Sequence, residues 1–242
     1  MLLSLFDGAG TALEALIQEC GKPAAALLVE NDERIRQLLC HRLHLDGELT
    51  REGWQKDYRG IPIKYPCDVW DILAQHNTSI LEALSFVQPQ GEVVVIAGSP
   101  CQDLTTYGGS EGILGFTGPR SVHFHAVYLV LVALHKLGLG DRIFYVVENA
   151  GSMLAMHKTY MQQLLGASDS HIKSVEHGSY GHSARNRLFI SPLSNIETPV
   201  KNASPWEAGW KSYGQLPTVM RSRGRTHSGK VVRSSISYHP HN

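Results

Sequence analysis

Val93-Val-Val-Ile-Ala-Gly-Ser-Pro-Cys-Gln102 is the stretch whose reading decides the fold. The apolar, largely β-branched run from Val93 to Ala97 reads as a buried strand of a parallel sheet, and Gly98-Ser99-Pro100 ends it abruptly. The next side chain, Cys101, is therefore offered at the carboxyl end of a strand, where open α/β sheets gather their ligands and chemistry. Taken alone, Cys101 has a second reading as one more small buried residue of the core. The rest of the chain decides between the two.

Upstream, Leu2-Leu-Ser-Leu-Phe6 reads as a short buried strand. Asp7-Gly-Ala-Gly10 follows it, and Thr11 then opens a helical pattern through Leu13, Leu16 and Ile17. Gly8 and Gly10 allow a tight turn and let a ligand approach the backbone, while the helix amino terminus offers unpaired N–H groups. A plain strand-to-helix turn would look the same. The second strand, Ala24 to Val29, narrows the choice, because it delivers Glu30 twenty residues after Gly10, the spacing at which an acid meets ribose hydroxyls.

Asn31 to His44 reads as an amphipathic helix with Ile35, Leu38, Leu39 and Leu43 on one face. From Leu45 to Pro66 the pattern is irregular, apart from a short strand expected at Ile61 to Tyr65. Cys67-Asp-Val-Trp-Asp71 comes next. Asp68, with Asp71 as runner-up, is placed to accept the exocyclic amine of an adenine; either could instead cap the helix that follows.

Past Cys101, Asp103 to Arg120 is rich in glycine and long for a βα connection, which suggests a mobile active-site loop. Ser121 to Leu137 resumes as an apolar helix, and Ile143-Phe-Tyr-Val-Val147 reads as another fully buried strand ending in Glu148-Asn149. A carboxylate next to a sheet core would be desolvated and biased toward its protonated form, suited to donating a proton; the alternative is a carboxylate held by loop amides. A helix at Met153 to Leu165 follows. Strands near Ile172 to Val175 and Leu188 to Ile190 flank Ser179-Tyr-Gly-His-Ser-Ala-Arg185-Asn-Arg187.

The whole is an α/β chain with a Rossmann-like, doubly wound, mostly parallel sheet. Its 242 residues suit one large domain with a small appendage: a catalytic unit over 1–190 and a short, basic, partly irregular segment over 191–242. Formal net charge is +0, so nothing global signals a polyanion partner. Locally, Lys211 to Arg233 carries Lys211, Arg221, Arg223, Arg225, Lys230 and Arg233 without an acidic residue, which puts positive charge where phosphates would need it. A solvated or disordered basic tail is the other reading. The 4 cysteines, Cys20, Cys40, Cys67 and Cys101, form no CxxC pair; neither a structural metal nor a disulfide framework is expected, and a reducing compartment is. Neither a signal peptide nor a membrane-length apolar run is present. An intracellular location follows as the expectation, cytoplasm or nucleoid in a prokaryote or phage host and nucleus in a eukaryote.

Phe6-Asp-Gly-Ala-Gly10, Glu30, Asp68, Pro100-Cys101-Gln102, Glu148-Asn149 and Arg185-Asn-Arg187 stand in the order and approximate spacing of the motifs of DNA (cytosine-5) methyltransferases, and over residues 2 to 190 the chain resembles that family. Leu216-Pro-Thr218 and the Arg/Gly/Ser-rich stretch after it look like the start of a target-recognition region. The brevity of this region is similar to the Dnmt3-like branch, whereas Pro-Cys-Gln is the usual bacterial form. The resemblance implies a class I methyltransferase fold with S-adenosylmethionine as donor and S-adenosylhomocysteine as product. The cofactor residues it implies are Phe6, Gly8, Gly10, Thr11, Glu30, Asn31, Asp68, Val69 and Pro100. It also implies Cys101 as nucleophile toward C6 of a flipped cytosine, Glu148 as proton donor to N3, Arg185 at O2 and Arg187 as a brace. DNA would be met by Gln102, Asn149, Arg221, Arg223, Arg225 and Lys230.

Two departures accompany the resemblance. Asn31 stands where most family members have an apolar or aromatic residue that packs on adenine. The Asn- and Gly-containing last motif, which completes the cofactor pocket, has no counterpart before Asn242. A truncated chain, a reduced recognition region, or a second protein chain or homo-oligomer completing the pocket are the expectations this raises. Three other function classes share part of the pattern. A regulatory relative without chemistry would keep the fold, an RNA cytosine-5 methyltransferase would share every motif, and a nicotinamide-dependent oxidoreductase would explain only Gly8, Gly10 and Glu30.

Overall fold

Successive side chains of a strand face opposite sides, so a strand apolar on both faces must be covered by helices above and below. The computed structural model, which describes residues 1–43, 54–66, 68–74, 78–105, 114–176 and 186–193, has this arrangement. In chain order the elements are β1 (Leu2–Leu5), α1 (Thr11–Cys20), β2 (Ala26–Val29), α2 (Glu33–Arg42), β3 (Gln55–Tyr58), β4 (Ile61–Lys64), α3 (Val69–Ala74), α4 (Thr78–Leu84), β5 (Val93–Gly98), α5 (Phe124–Lys136), β6 (Ile143–Ala150), α6 (Ala155–Leu165), β7 (Ile172–Glu176) and β8 (Asn186–Ile190). Short 3₁₀ turns cover Gly115–Thr117, Ser121–His123, Gly140–Arg142 and Asp169–His171.

The strands form one sheet in the order β3-β4-β2-β1-β5-β6-β8-β7. From β4 to β6 all neighbours are parallel; β3 is antiparallel to β4, and β8 is antiparallel to both β6 and β7. This is the Rossmann-like, doubly wound and mostly parallel sheet expected from the sequence. Leu3, Leu5, Leu27, Val29, Val93 and Val95 face one layer, where they pack with Val69, Ile80, Phe124, Val127 and Met161 of the helices from α3 to α6. Leu2, Ala26, Leu28, Ile61 and Ile63 face the other, against Leu13 of α1 and Leu39 of α2.

Four features depart from the expectations. Helix α2 starts at Glu33, because the Asp32 carboxylate caps it by accepting from the amides of Arg34 and Ile35 at 3.0 and 3.4 Å. Leu38 is 56% exposed instead of sharing the inward face: it lies about 100° around the helix from Leu39, and Leu39 and Leu43, four apart, hold the buried stripe. The antiparallel strand β3 occupies part of the stretch read as irregular. Strand β6 is not fully buried; Phe144, Tyr145 and Val146 are half-buried, as are Val94 and Ile96 on β5. Among the described residues, α1 and α2 cover the β4, β2 and β1 end of their face and leave the β5–β6 part less covered.

No helix among the described residues is long and apolar enough to cross a membrane. The segment read as 191–242 lies outside the described residues from 194 onward.

Gly10 has φ +76°, and a Cβ there would stand 2.3 Å from Leu39 Cδ1, whereas Gly8, at φ +63°, has nothing within 4 Å of an added Cβ. Both alanine variants carry the left-handed strain of roughly 1–2 kcal/mol, but Gly10→Ala also drives into α2. Thermal unfolding should therefore show the larger loss for Gly10→Ala; equal losses would mean that Leu39 yields without cost.

Candidate active site

Parallel strands in register end level with one another, so β1, β2, β5 and β6 release their chains along one edge of the sheet. At the end of β1, Phe6 takes the left-handed conformation at φ 59°, with Gly8 and Gly10 following in the same region. The turn is anchored from below. Asp7 N–H donates to Val29 O at 2.9 Å, and the Ser4 hydroxyl donates to Asp7 Oδ1 at 2.5 Å. Gly10, the cap of α1, supplies no side-chain bond to the first helical amides, and Thr11, the first helical residue, is exposed.

Glu30 is the fixed acid of this crevice. It is only 9% exposed. Its Oε2 accepts from Gly8 N–H at 3.0 Å and its Oε1 from Asp32 N–H at 2.9 Å. One carboxylate thus ties the glycine turn to the end of β2, and each oxygen keeps a second acceptor site. Asn31, beside it, is exposed. Asp68 is half-buried, and its Oδ1 accepts from Trp70 N–H at 3.0 Å, so the helix-capping alternative raised for it is realised at one oxygen.

Two residues assigned to ligands are scaffold. Val69 is 2% exposed and its side chain belongs to the core, because it is the first inward position of α3. Asn149 is 1% exposed. Its side-chain amide donates to Ser99 O at 3.2 Å and Ser99 Oγ at 3.1 Å, and its Oδ1 accepts from Ala150 N–H at 2.8 Å. It braces the segment that carries Pro100 and Cys101. The reason is parity: β6 runs on to Ala150, so Asn149 points to the face opposite Glu148.

Glu148 also differs from expectation. Its side chain is 32% exposed and its Oε1 lies 2.6 Å from Arg187 Nε, so it is ion-paired where a desolvated acid was expected. The pairing follows from register, since β8 runs antiparallel to β6 with Ala150 opposite Arg187 and Glu148 opposite Phe189. Arg187 is thereby held beside Glu148. Gly98, opposite Glu148 on β5, leaves the carboxylate room; an added Cβ would be 3.3 Å from Oε2.

Cys101 is half-buried, and burial pushes its thiol up from the usual range. The Arg187 cation and a hydrogen bond to its own backbone pull it back, while the negative charges of Glu148 and Asp103 add to the rise. The Cys101, Glu148 and Arg187 side chains are close enough to act on one another's charge. Nucleophilic thiolate grows as pH rises.

Asp103 was not singled out from the sequence, yet it closes the chain after Cys101. It is 6% exposed; its Oδ2 accepts from Arg120 N–H at 2.8 Å and Ser121 N–H at 2.9 Å, and its carbonyl from Gly115 N–H at 2.9 Å. Gly118 makes room for it, since a Cβ there would fall 2.4 Å from Asp103 Oδ2. The described carboxyl-terminal arm of the expected mobile loop is therefore packed. Phe116 is buried against Phe124, His157 and Tyr160. Ser121 Oγ donates to Pro100 O at 3.2 Å, Pro100 is half-buried and Gln102 exposed. Arg185, Arg221, Arg223, Arg225 and Lys230 lie outside the described residues, as do residues 106–113. Among the described residues no cluster suits a metal ion.

No protein-family profile matches the chain, and no curated protein sequence matches it. Solved structures do align. A prophage-encoded E. coli protein assigned as a DNA modification methyltransferase aligns at 16% identity and a TM-score of 0.44, over 78% of this chain and 45% of its own. The Dnmt2 methyltransferase of S. pombe aligns at 12% identity and 0.41, over 78% and 48%. The rRNA methyltransferase aviRa of Streptomyces viridochromogenes aligns at 14% and 0.42, over 82% and 78%. The chain thus spans about half the length of the first two. Likenesses this distant assign no chemistry to these strand ends.

Alkylation of Cys101 by iodoacetamide, followed by peptide mass spectrometry, should accelerate with pH through the neutral range by up to about tenfold per unit. Arg187→Gln removes the cation that lowers the thiol and should slow alkylation at a given pH. An unchanged rate in that variant would show that Arg187 does not act on Cys101. Separately, Asn149→Ala should cost about 1–3 kcal/mol in urea unfolding, because it leaves Ser99 groups buried without their donor.

Proposed function

We propose that this chain transfers a methyl group from S-adenosylmethionine to C5 of cytosine in DNA. The observation that carries the reading is the convergence of Cys101, Glu148 and Arg187 at the ends of three adjacent strands, beside the glycine turn that Glu30 fixes.

The crevice fits a nucleoside cofactor. Gly8 has open space within 4 Å of where a side chain would begin, so backbone and ligand can approach closely. Glu30 is held with both oxygens aimed by backbone amides and retains acceptor capacity for two ribose hydroxyls. Asp68 uses only Oδ1 on Trp70, which leaves Oδ2 for an exocyclic amine. When bound, S-adenosylmethionine supplies an electrophilic methyl group on a sulfonium.

Cytosine C5 is a poor nucleophile until a group adds at C6, and a thiolate suits that task because it is nucleophilic near neutral pH and can leave again. Cys101 Sγ forms the bond to C6, and the displaced ring electrons move toward N3. Glu148 gives up Arg187 as the base enters, takes the proton of the Cys101 thiol and delivers it to N3; Arg187 stays beside the growing charge, with Arg185 at O2. After methylation the C5 proton is lost to a base, the N3 proton returns through Glu148 to the sulfur as the bond from Sγ to C6 breaks, and Cys101 is regenerated. A duplex hides these atoms, so the base must be flipped out. The basic stretch with Arg221, Arg223, Arg225 and Lys230 is the proposed phosphate contact. A partner-dependent form of the same activity is favoured by the half-buried Val94, Ile96, Phe144 and Val146 on one sheet face.

The test incubates the protein with labelled S-adenosylmethionine and DNA carrying 5-fluorocytosine, in parallel with the matching RNA. A covalent adduct on DNA that disappears in Cys101→Ser is the expected result. Cofactor binding without any adduct would point to a regulatory role, and an adduct on RNA alone would reassign the substrate.

A further inference from the structure

Three aromatic rings from three separate elements meet at the carboxyl edge of the sheet. Phe6 follows β1, Trp70 lies in the first turn of α3, and His123 ends the 3₁₀ turn leading into α5. The ring centroids of Phe6 and His123 are 6.2 Å apart, as are those of Trp70 and His123. All three side chains are half-buried, so each keeps an accessible portion.

The polar atoms of this cluster are arranged in one direction. Trp70 Nε1–H donates to His123 Nδ1 at 2.8 Å, which uses the only donor of the indole and leaves its faces for stacking. Because Nδ1 accepts, neutral His123 carries its proton on Nε2, and none of the described groups is bonded to it. Trp70 is held from the other side too, since its amide donates to Asp68 Oδ1. A ring fixed at its amide and at its indole nitrogen, next to a carboxylate that can take an exocyclic amine, has the make-up of a purine seat. Asn31, the exposed residue after Glu30, has no ring to offer.

On the cofactor reading above, we propose that Trp70 and His123 form the wall against which the purine of the cofactor stacks. Trp70 makes the contact, and His123 positions it.

Calorimetric titration of the full chain with S-adenosylhomocysteine, and with adenosine as a purine-only probe, tests the assignment. Trp70→Ala should weaken both ligands about 10-fold, in line with the loss of one stacked ring, while Trp70→Phe retains most of the affinity. His123→Ala should give a smaller loss that His123→Asn restores, because the asparagine amide oxygen can still accept from Trp70. S-adenosylhomocysteine should also change tryptophan fluorescence in the wild type and lose part of that effect in Trp70→Phe, in which Trp54, Trp206 and Trp210 remain. If the wild type binds S-adenosylhomocysteine and Glu30→Ala abolishes binding while Trp70→Ala binds normally, the wall is overturned and the cofactor reading stands. If the wild type does not bind it, or binds it equally well with Glu30→Ala, the cofactor reading fails and the wall with it.

Discussion

Parallel pairing without register slip is the constraint on which the candidate site depends. Leu5 lies level with Val29 on one side and with Ala97 on the other, and Gly98 lies level with Glu148. The chains of β1, β2 and β5 therefore leave the sheet within one residue of the same height, and β6 runs two residues further, to Ala150. A slip of one residue between β5 and β6 would turn Glu148 to the opposite face and bring Asn149 into its place, since strand side chains alternate. The apolar alternation that buries Leu3, Leu5, Val93 and Val95 in one layer is thus the same pattern that aims the polar groups at the edge.

Above that edge, buried polar side chains replace hydrophobic contact as the means of fixing the backbone. Glu30 ties the glycine turn to the exit of β2, Asn149 ties the exit of β5 to β6, and Asp103 ties the start of α5 to the segment after Cys101. Each spends its acceptors or donors on backbone groups that a tight turn would otherwise leave unsatisfied. The three residues that face outward from these braces, Cys101, Glu148 and Arg187, are therefore mounted on a rigid frame.

The parts of this arrangement with a strong local signal could be read from the chain. A β-branched run closed by Gly98-Ser99-Pro100 gave β5 and the place of Cys101, and the distance from Gly10 to Glu30 gave the crevice. What escaped depended on pairing partners. The roles of Glu148 and Asn149 hang on β6 continuing to Ala150, beyond its apolar run, and on the antiparallel approach of β8, which no single segment encodes. Strand β3, Gln-Lys-Asp-Tyr, lacks an apolar alternation because it is an edge strand shaped by β4. Asp103 reads as an ordinary loop acid because its partners lie 17 and 18 residues further on, and Trp70 carries no local signal because its partner His123 lies 53 residues away.

The reversed direction of β8 carries a consequence for how such a chain can vary. Arg187 sits near the start of its strand, yet its position beside Glu148 is set by the ladder to β6 and by β7 on the other side. A substitution in β7 that loosens its ladder to β8 can accordingly shift the cation without touching either member of the ion pair.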